Sequence, residues 1–405
     1  MSKKVAIVNR VGFDGGGATT LCLQYAKLGF DVFIKNYVFP NQFLPELEPN
    51  IMLYDSIDSL VELVKNYDRL IFVNLWFGGY KSLPTSVFDD LLYLRNKYND
   101  LDICYVSCCR NLQEMFTLLD GCKKYDFTFS QIFTLQPDLS RIVSDKQLVS
   151  YMNINAFTPL IKYEPVARDK RLKIVLTSGR IVGIKGINKF LSAVDDNFLQ
   201  IADGFVFLHE GAGFTFNKLN SDISCPPQLL FLFDKTISPK IPKPQFAFKQ
   251  YSESPELNKF NLYPSYNVDE IYNRWKYYYA GICCILGSKS AYYYRRTLLG
   301  NNWVVEDVRE NNKIQKDAQL WNDTLEYADI EKILAGLPVF FSRKYSEIIN
   351  FNDERLIYNS FSDIPQLVVR LSDYYDDARN EQYNWLMKKL DSVNNNIISE
   401  FTKEF

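Results

Sequence analysis

The order of strand, glycine-rich loop, helix and strand at the start of the chain is the strongest constraint on the fold. Residues 4–9 form an apolar run of the length of a buried strand, and the glycine-containing loop 10–17 follows them. A helix is predicted over 18–28, and residues 31–34 start the next strand. This order is typical of a doubly wound α/β sheet, in which ligands bind at the carboxyl ends of the strands.

The same alternation continues to about residue 150 and is repeated in the second half of the chain. In the first half it predicts helices at 57–66, 86–97 and 111–123 and strands at 70–74, 103–107 and 127–130. In the second half it predicts strands at 172–177, 204–208 and 338–341, and helices at 187–194, 268–280, 363–372 and from Tyr374 onward. We therefore expect domains at 1–158 and 170–372, followed by a C-terminal helix at 373–405. Residues 214–265 are less regular.

Bulk composition indicates two globular domains without a dominant charge. The 405 residues are 47% hydrophobic and 23% charged, which is enough apolar surface for two cores. The formal net charge is −2 and the sequence pI is about 5.8, so any site for a polyanion has to be a local patch. No apolar run is long enough to span a bilayer, and no membrane partner is expected.

Cysteine, histidine and paired aspartates give little sign of a metal site. The eight cysteines lack zinc-ligand spacing and indicate reduced thiols in a cytoplasm. The single histidine, His209, follows an apolar run and is interpreted as a strand-end or pocket-lining residue. Asp100-Leu101-Asp102 is formally an Asp-x-Asp motif, but it lies in a polar turn and is interpreted as a solvated loop. We expect no tightly bound cofactor and no required metal, with a divalent ion optional.

Arg180 and Lys185 lie in one short loop, Ser178 to Gly186, after the predicted strand 172–177. Two cations at the carboxyl end of a strand can neutralise a diphosphate and, later, the charge on a departing nucleoside diphosphate. Either residue taken alone is also explained as an ordinary surface cation.

A second motif places Glu326 and Glu331 at the opening of an apolar helix, and a Gly-x-Pro turn then leads into a strand. Backbone N–H groups and the dipole at a helix start can hold a diphosphate, while a carboxylate one turn on can accept two ribose hydroxyls. Taken alone, the motif is also consistent with a core helix that carries two solvated acids. Together with Arg180 and Lys185, it indicates a sugar-nucleotide site.

The glycine loop of the first half contains Gly15, Gly16 and Gly17, which remove side chains where a backbone must approach a ligand. The loop lacks the Gly-Lys-Ser/Thr ending of a P-loop and the Gly-x-Gly-x-x-Gly spacing of dinucleotide-binding proteins. NAD and ATP chemistry are therefore disfavoured.

These motifs resemble the GT-B glycosyltransferases of the retaining, glycogen-synthase-like type. Within them, the chain is most similar to the DNA glycosyltransferases of bacteriophages, which include the T-even α-glucosyltransferase and the arabinosyltransferases. The resemblance covers most of the chain in order and is most specific in its last segment. The matching segments are Gly15-Gly16-Gly17-Ala18-Thr19, Gly179-Arg180 with Lys185-Gly186, Glu210-Gly211, and Leu325-Glu326-Tyr327 with Glu331, Gly336 and Pro338-Val339-Phe340.

The resemblance implies an α/β fold of GT-B type, with two Rossmann-like doubly wound domains facing a central cleft and a C-terminal helix. It implies transfer of a sugar, with retention, from UDP-glucose or UDP-arabinose to a hydroxylated or hydroxymethylated pyrimidine in double-stranded DNA, in the cytoplasm of an infected cell. Arg180 and Lys185 would bind the donor diphosphate, and Glu326 would contact the sugar or phosphates; these three are the candidate catalytic residues. Glu331 would hold the ribose, and the glycine loop 15–17 would close over the pyrophosphate.

The acceptor side departs from the resemblance at one place. Where the phage glucosyltransferase carries a His-Asp pair, the matching stretch reads Tyr105-Val106-Ser107-Cys108-Cys109-Arg110. The sequence therefore identifies no side chain that takes the acceptor proton. In a front-face transfer the leaving phosphate can take that proton itself.

Candidate DNA contacts are basic residues interleaved with aromatic ones, a mixture that suits backbone binding and stacking. They are Arg274 and Lys276 in one segment and Arg295 and Arg296 in another. Both segments are also consistent with a solvated helix face, and the acidic net charge argues mildly against DNA.

Two other functions remain open. One is a GT-B glycosyltransferase that acts on a glycan, lipid or protein acceptor. The other is a non-catalytic sugar-nucleotide-binding homologue, which the missing His-Asp pair favours and the retained Arg180, Lys185, Glu326 and Glu331 disfavour. No protein partner is indicated.

Overall fold

The computed structural model divides the chain into two compact units. The first comprises Met1–Thr158, Ala291–Thr324 and Leu390–Phe405, and the second comprises Pro159–Ser290 and Leu325–Lys389. The residues that the structure describes are 3–13, 17–38, 47–75, 84–107, 112–135, 148–158, 172–178, 204–208, 278–284, 294–299, 302–307 and 325–404. The predicted helix 187–194, the region 214–265 and His209 lie outside them.

The first unit contains a seven-stranded parallel sheet with the order β3-β2-β1-β4-β5-β6-β7. Its strands are β1 Val5–Asn9, β2 Asp31–Lys35, β3 Ile51–Tyr54, β4 Arg69–Asn74, β5 Asp102–Ser107, β6 Gln131–Thr134 and β7 Val149–Tyr151. Its helices are α1 Gly17–Lys27, α2 Ile57–Val64, α3 Thr85–Lys97 and α4 Leu112–Lys124. The strand order reverses between β1 and β4, which is the doubly wound arrangement predicted from the sequence.

Burial on both faces explains why the first strands are apolar throughout. All five residues of β1 are buried, as expected for a central strand of a parallel sheet that helices cover on both sides. Helix α2 begins at a capping box, in which the Ser56 side chain accepts from the Ser59 backbone N–H and the Ser59 side chain accepts from the Ser56 backbone N–H. Its residues Leu60, Val61 and Val64 then pack into the core.

The second unit contains a five-stranded parallel sheet with the order β14-β13-β10-β8-β9. Its strands are β8 Leu172–Ser178, β9 Gly204–Leu208, β10 Tyr278–Ile282, β13 Val339–Ser342 and β14 Ile357–Tyr358. Helix α5 is Tyr327–Leu334, α6 is Arg343–Ile348, and two 3-10 turns cover Glu354–Leu356 and Phe361–Asp363. A separate antiparallel pair, which belongs to the first unit, joins β11 Tyr294–Leu299 to β12 Asn302–Asp307.

The predicted C-terminal helix is confirmed as α7, Ile364–Thr402. Its geometry is non-helical at Tyr374 (φ −138°, ψ 24°), so the predicted separation between a helix at 363–372 and a tail helix from Tyr374 corresponds to a break within one element. Residues of α7 before Leu390 belong to the second unit, and those from Leu390 onward belong to the first.

In the first unit, the end of α7 covers a buried arginine. Arg69 Nη1 donates to the Phe401 carbonyl oxygen at 2.6 Å, and the Phe401 ring packs against Tyr25, Phe30 and Phe133. The Arg69 side chain is fully buried.

Two predicted elements differ in the structure. The strand expected at 127–130 is β6 at Gln131–Thr134; Phe127 and Phe129 are buried, which produced the apolar signal, but they precede the strand. The predicted helix 268–280 is wrong at its end, because residues 278–280 belong to β10, where Tyr279 and Ala280 are buried. Aromatic residues suit a pleated strand, so the tyrosine run was better evidence for β10 than for a helix.

Among the described residues, none of the helices combines the length and the apolar character needed to cross a membrane.

Candidate functional site

Helix α5 follows Glu326, whose backbone is extended (φ −72°, ψ 141°) and whose carbonyl oxygen accepts from the N–H groups of Asp329 and Ile330. The helix ends where Gly336 adopts φ +81°, a conformation that favours glycine, and Leu337 N–H donates to the Lys332 carbonyl oxygen at 3.1 Å. Pro338 then leads into β13. The predicted order of glutamates, helix, Gly-x-Pro turn and strand is confirmed.

The two faces of α5 differ in burial. Asp329, Ile330, Lys332, Ile333 and Leu334 are buried. Tyr327, Ala328 and Glu331 are partly exposed and lie on one face, because they are spaced i, i+1 and i+4. Glu331 is therefore carried one turn into the helix, on the side away from the core. Since β13 follows α5 directly, the amino end of α5 is directed towards the carboxyl edge of the parallel sheet.

A buried ion pair lies within α5, and its lysine also contacts β10. The sequence motifs did not single it out. Lys332 Nζ lies 2.9 Å from Asp329 Oδ1 and also donates to the Ile282 carbonyl oxygen at 3.3 Å. The side chains are 0% and 4% exposed, respectively. The only signal in the sequence was the i, i+3 spacing of opposite charges on the apolar side of the predicted helix.

A side chain of β14 also forms a hydrogen bond with the residue that follows β10. The Tyr358 hydroxyl donates to the Cys283 carbonyl oxygen at 2.7 Å, and full burial raises the pKa of Tyr358 well above its ordinary value. Tyr358 therefore stays a neutral donor at physiological pH. Cys283 and Cys284 are both buried thiols.

In the first unit, Asn9 organises the start of the loop that precedes α1. Its Oδ1 accepts from the N–H groups of Val11 and Gly12 at 3.0 and 3.2 Å, and its Nδ2 donates to the Gly12 carbonyl oxygen at 3.0 Å. Gly12 has φ +100°, and a Cβ there would lie 2.3 Å from the Tyr37 carbonyl oxygen. Gly17 is the first residue of α1, whereas Gly15 and Gly16 lie outside the described residues.

A small cleft of about 30 Å³ lies at the carboxyl ends of β1, β2 and β3. Arg10 borders it, and each nitrogen of its guanidinium donates one hydrogen bond: to Asp90 at 2.6 Å, to the Leu75 carbonyl oxygen at 3.2 Å and to Ser86 at 3.1 Å. Lys35 and Tyr54 also line the cleft. The space holds about two water molecules and is too small for a nucleotide.

The structure places some of the predicted site residues and not others. Glu326 lies directly before α5, as its N-cap residue, and Glu331 lies within α5. Arg180, Lys185, Arg274 and Lys276 lie outside the described residues, although β8 ends at Ser178, directly before the Arg180 motif. Arg295 and Arg296 lie in β11, in register with Glu306 and Val305 of β12, so the interpretation of that segment as a helix face is wrong.

The Asp-x-Asp segment is not a solvated loop at its second aspartate. Asp102 begins β5 and accepts from Arg69 at 3.0 and 3.3 Å, and it also forms an ion pair with Lys3. Burial raises the pKa of Asp102, but the hydrogen bonds from Lys3 and Arg69 outweigh burial and lower it overall. The described part of the chain contains no group of three or more His, Cys, Asp or Glu residues suited to a metal ion.

No protein-family model and no curated protein sequence matches the chain. Among solved structures, an alpha-glucosyltransferase in complex with UDP-glucose and DNA containing an abasic site is similar with a TM-score of 0.66 and 13% identity, over 99% of this chain and 100% of that one. An alpha-glucosyltransferase in complex with UDP and a 13-mer DNA containing a central A:G mismatch is similar with a TM-score of 0.59 and 14% identity, over 99% and 100%.

The fold is that of the GT-B glycosyltransferases. The expected fold class is thereby confirmed, with its parallel sheets and its C-terminal helix. At 13–14% identity the likeness establishes the fold, and the ligands of this chain have to be argued from its own residues.

Proposed function

We propose that this chain is a retaining glycosyltransferase that moves a sugar from a UDP-sugar to a hydroxylated or hydroxymethylated pyrimidine in phage double-stranded DNA. The observation that carries the proposal is the similarity, over 99% of this chain, to an alpha-glucosyltransferase solved with UDP-glucose and DNA. In this proposal residues 1–158 form the acceptor side and residues 170–372 the nucleotide-sugar side, and the enzyme acts in the cytoplasm of an infected cell.

The donor half of the proposal rests on α5. Its N-terminus is directed to the carboxyl edge of the sheet, where backbone N–H groups and the helix dipole favour a diphosphate. Glu331 lies one turn further on the partly exposed face, in a suitable position to accept from two ribose hydroxyls. Glu326, directly before the helix, is assigned to the sugar or phosphates.

The chemical step is assigned to Arg180 and Lys185. Transfer breaks the bond between the anomeric carbon and the UDP oxygen and forms a bond to the acceptor hydroxyl on the same face. Negative charge develops on the leaving diphosphate, so fixed cations and amide donors lower the barrier. The acceptor proton passes to the leaving phosphate oxygen, which needs no side-chain base. The glycine loop 15–17 is assigned to the backbone approach over the pyrophosphate.

The DNA half of the proposal assigns phosphate contacts to Arg274, Lys276, Arg295 and Arg296. A hydroxymethyl group on a paired base cannot reach a catalytic cleft without leaving the stack, so the target base has to be flipped. Both similar structures were solved with DNA that contains a mismatch or an abasic site, positions at which extrusion costs least.

The test is to incubate the protein with UDP-glucose or UDP-arabinose and with duplex DNA that contains 5-hydroxymethylcytosine, and to analyse the digested nucleosides by mass spectrometry. A mass gain of one sugar supports the proposal and names the donor. Arg180→Ala and Lys185→Ala are expected to lower the rate of UDP release by about 10²–10³-fold, the usual effect of removing a charge-stabilising donor.

UDP release without a modified nucleoside would indicate that the acceptor is a glycan, a lipid, a protein or an already glycosylated base. UDP binding without release from any donor would favour the non-catalytic homologue. Unchanged turnover in both cation variants would reject the assigned roles of Arg180 and Lys185.

A further inference from the structure

Lys332 is a charged residue in a place where charged residues are rarely found. Its side chain is fully buried, and its ammonium group contacts Asp329 Oδ1 at 2.9 Å and the Ile282 carbonyl oxygen at 3.3 Å. A buried ion pair contributes little net stability, because the desolvation of two charges offsets their attraction, whereas an apolar pair of the same volume packs without that cost. The pair therefore calls for an explanation other than stability.

The backbone of β10 is shaped to receive the lysine. A Cβ atom added at Gly281 would lie 2.8 Å from Lys332 Cδ and 3.1 Å from Val339 Cγ2. Glycine is therefore the residue that lets the lysine stem cross the strand and bring Nζ to the Ile282 carbonyl oxygen. Gly281 is also fixed on its other side, since its N–H donates to the Pro338 carbonyl oxygen at 2.9 Å.

The contact fixes the position of α5 relative to the sheet more tightly than apolar packing does. Ile330 and Ile333 hold the helix against the sheet, but contacts between aliphatic side chains are non-directional. The hydrogen bond from Lys332 Nζ to the Ile282 carbonyl oxygen is directional, and it joins the last turn of α5 to the last residue of β10, while Asp329 of the same helix pairs with the ammonium group. Glu331, the residue directly before Lys332, has its Cα position set by the same contact.

We propose that the Asp329–Lys332 pair, seated over Gly281, is a positioning device that sets Glu331 at the distance from the sheet edge needed to bind a ribose. This inference rests on the proposed function, because it concerns how Glu331 meets the ribose of a UDP-sugar. Lys332 and Asp329 touch no substrate; they act through Glu331. A carboxylate that accepts from two adjacent hydroxyls tolerates little displacement, since hydrogen bonds weaken steeply away from ideal geometry.

The experiment compares the affinities for UDP and 2′-deoxy-UDP, measured by calorimetry at a temperature at which each variant is fully folded. Wild-type protein is expected to bind UDP roughly 10- to 100-fold more tightly, the effect of one hydrogen bond to a carboxylate. Glu331→Gln is expected to reduce this ratio by about tenfold. Lys332→Met is expected to reduce it similarly, although it leaves the Glu331 side chain intact.

Ile333→Val is the matched control, because it removes one buried methylene from the same helix without touching the ion pair. It is expected to lower stability and keep the UDP to 2′-deoxy-UDP ratio. A purely structural role for Lys332 would give the same result in Lys332→Met, and that outcome overturns the inference.

Two further variants keep the inference testable if Lys332→Met does not fold. Gly281→Ala retains both charges but displaces the lysine stem, and Asp329→Leu with Lys332→Met removes both charges together. Each is expected to fold and to lose the ribose preference; retention of the preference in either overturns the inference.

Failure of the underlying function gives a different pattern. If wild-type protein does not bind UDP, the donor assignment fails and the inference fails with it. If wild-type protein prefers UDP but Glu331→Gln keeps that preference, UDP binding stands and the inference is overturned.

Discussion

Gln382 of α7 forms two hydrogen bonds with the backbone of a single residue, Val339 of β13. Its Oε1 accepts from Val339 N–H at 2.7 Å, and its Nε2 donates to the Val339 carbonyl oxygen at 2.8 Å. Strand β14 pairs with β13 only from Phe341 onward. The amide thus supplies, at Val339, the hydrogen bonds that a longer neighbouring strand would make.

Replacement of Gln382 by Met is expected to lower the free energy of unfolding by about 2–6 kcal/mol, because two buried backbone groups each lose a partner at roughly 1–3 kcal/mol. Urea unfolding followed by circular dichroism measures the change. Asn384→Ala, at an exposed position of the same helix, is the control and is expected to change stability by less than about 0.5 kcal/mol. Equal stability of the two variants would mean that water replaces the amide.

The ion pair between Asp329 and Lys332 is expected to show strong coupling in a double-mutant cycle. Lys332→Met leaves a buried carboxylate unpaired and is expected to cost about 3–5 kcal/mol. Asp329→Leu combined with Lys332→Met is expected to be close to wild type in stability, since buried pairs are often replaced by apolar residues at no cost. Additive losses in chemical unfolding would show instead that the two residues act independently.

Gly12 and Gly29 allow two effects of a glycine-to-alanine substitution to be compared: the strain of a positive φ, and the collision of a Cβ atom with a neighbouring backbone. Both have positive φ, +100° and +93°. A Cβ at Gly29 would meet nothing within 4 Å, so Gly29→Ala is expected to cost only the conformational term of about 1–2 kcal/mol.

At Gly12 the same atom would lie 2.3 Å from the Tyr37 carbonyl oxygen, so the backbone has to shift. Gly12→Ala is therefore expected to be clearly more destabilising than Gly29→Ala in thermal unfolding. Gly12→Ala should also weaken donor binding if the glycine loop closes over the pyrophosphate. Equal melting temperatures would contradict the close contact.

Asp102 is expected to make the folded protein sensitive to acid. Because its folded-state pKa is below its ordinary value of 3.8, folding favours the ionised form. The resulting stability is fully present above the unfolded-state pKa and is lost as pH falls from there through the lower folded-state pKa. Unfolding free energies from pH 7 down to pH 2 should fall less steeply below about pH 4 in Asp102→Asn than in wild type. Parallel profiles would exclude this contribution.

The strand and helix order was predictable because the central strands are buried on both faces and are therefore apolar throughout. Short edge strands gave no such signal: β7, Val149–Tyr151, is intermediate or exposed at every position. The helix that follows Glu326 and contains Glu331 was predictable from its turn chemistry, since the Gly-x-Pro sequence sets its end. Asp329 and Lys332 were not, because charged residues are assigned to solvent unless a partner is known, and the Ile282 carbonyl is about 50 residues away in the chain.

The position of Phe401 has a consequence for the synthesis of the chain. All seven strands of the first sheet lie within residues 5–151, but Arg69 and the aromatic rings of Tyr25, Phe30 and Phe133 are covered by the end of α7. That helix leaves the ribosome about 240 residues later, ~10–50 s at ordinary translation rates. During this interval Arg69 and those aromatic rings lack the cover that Phe401 gives them, and the nascent first unit is expected to be prone to aggregation until α7 is made.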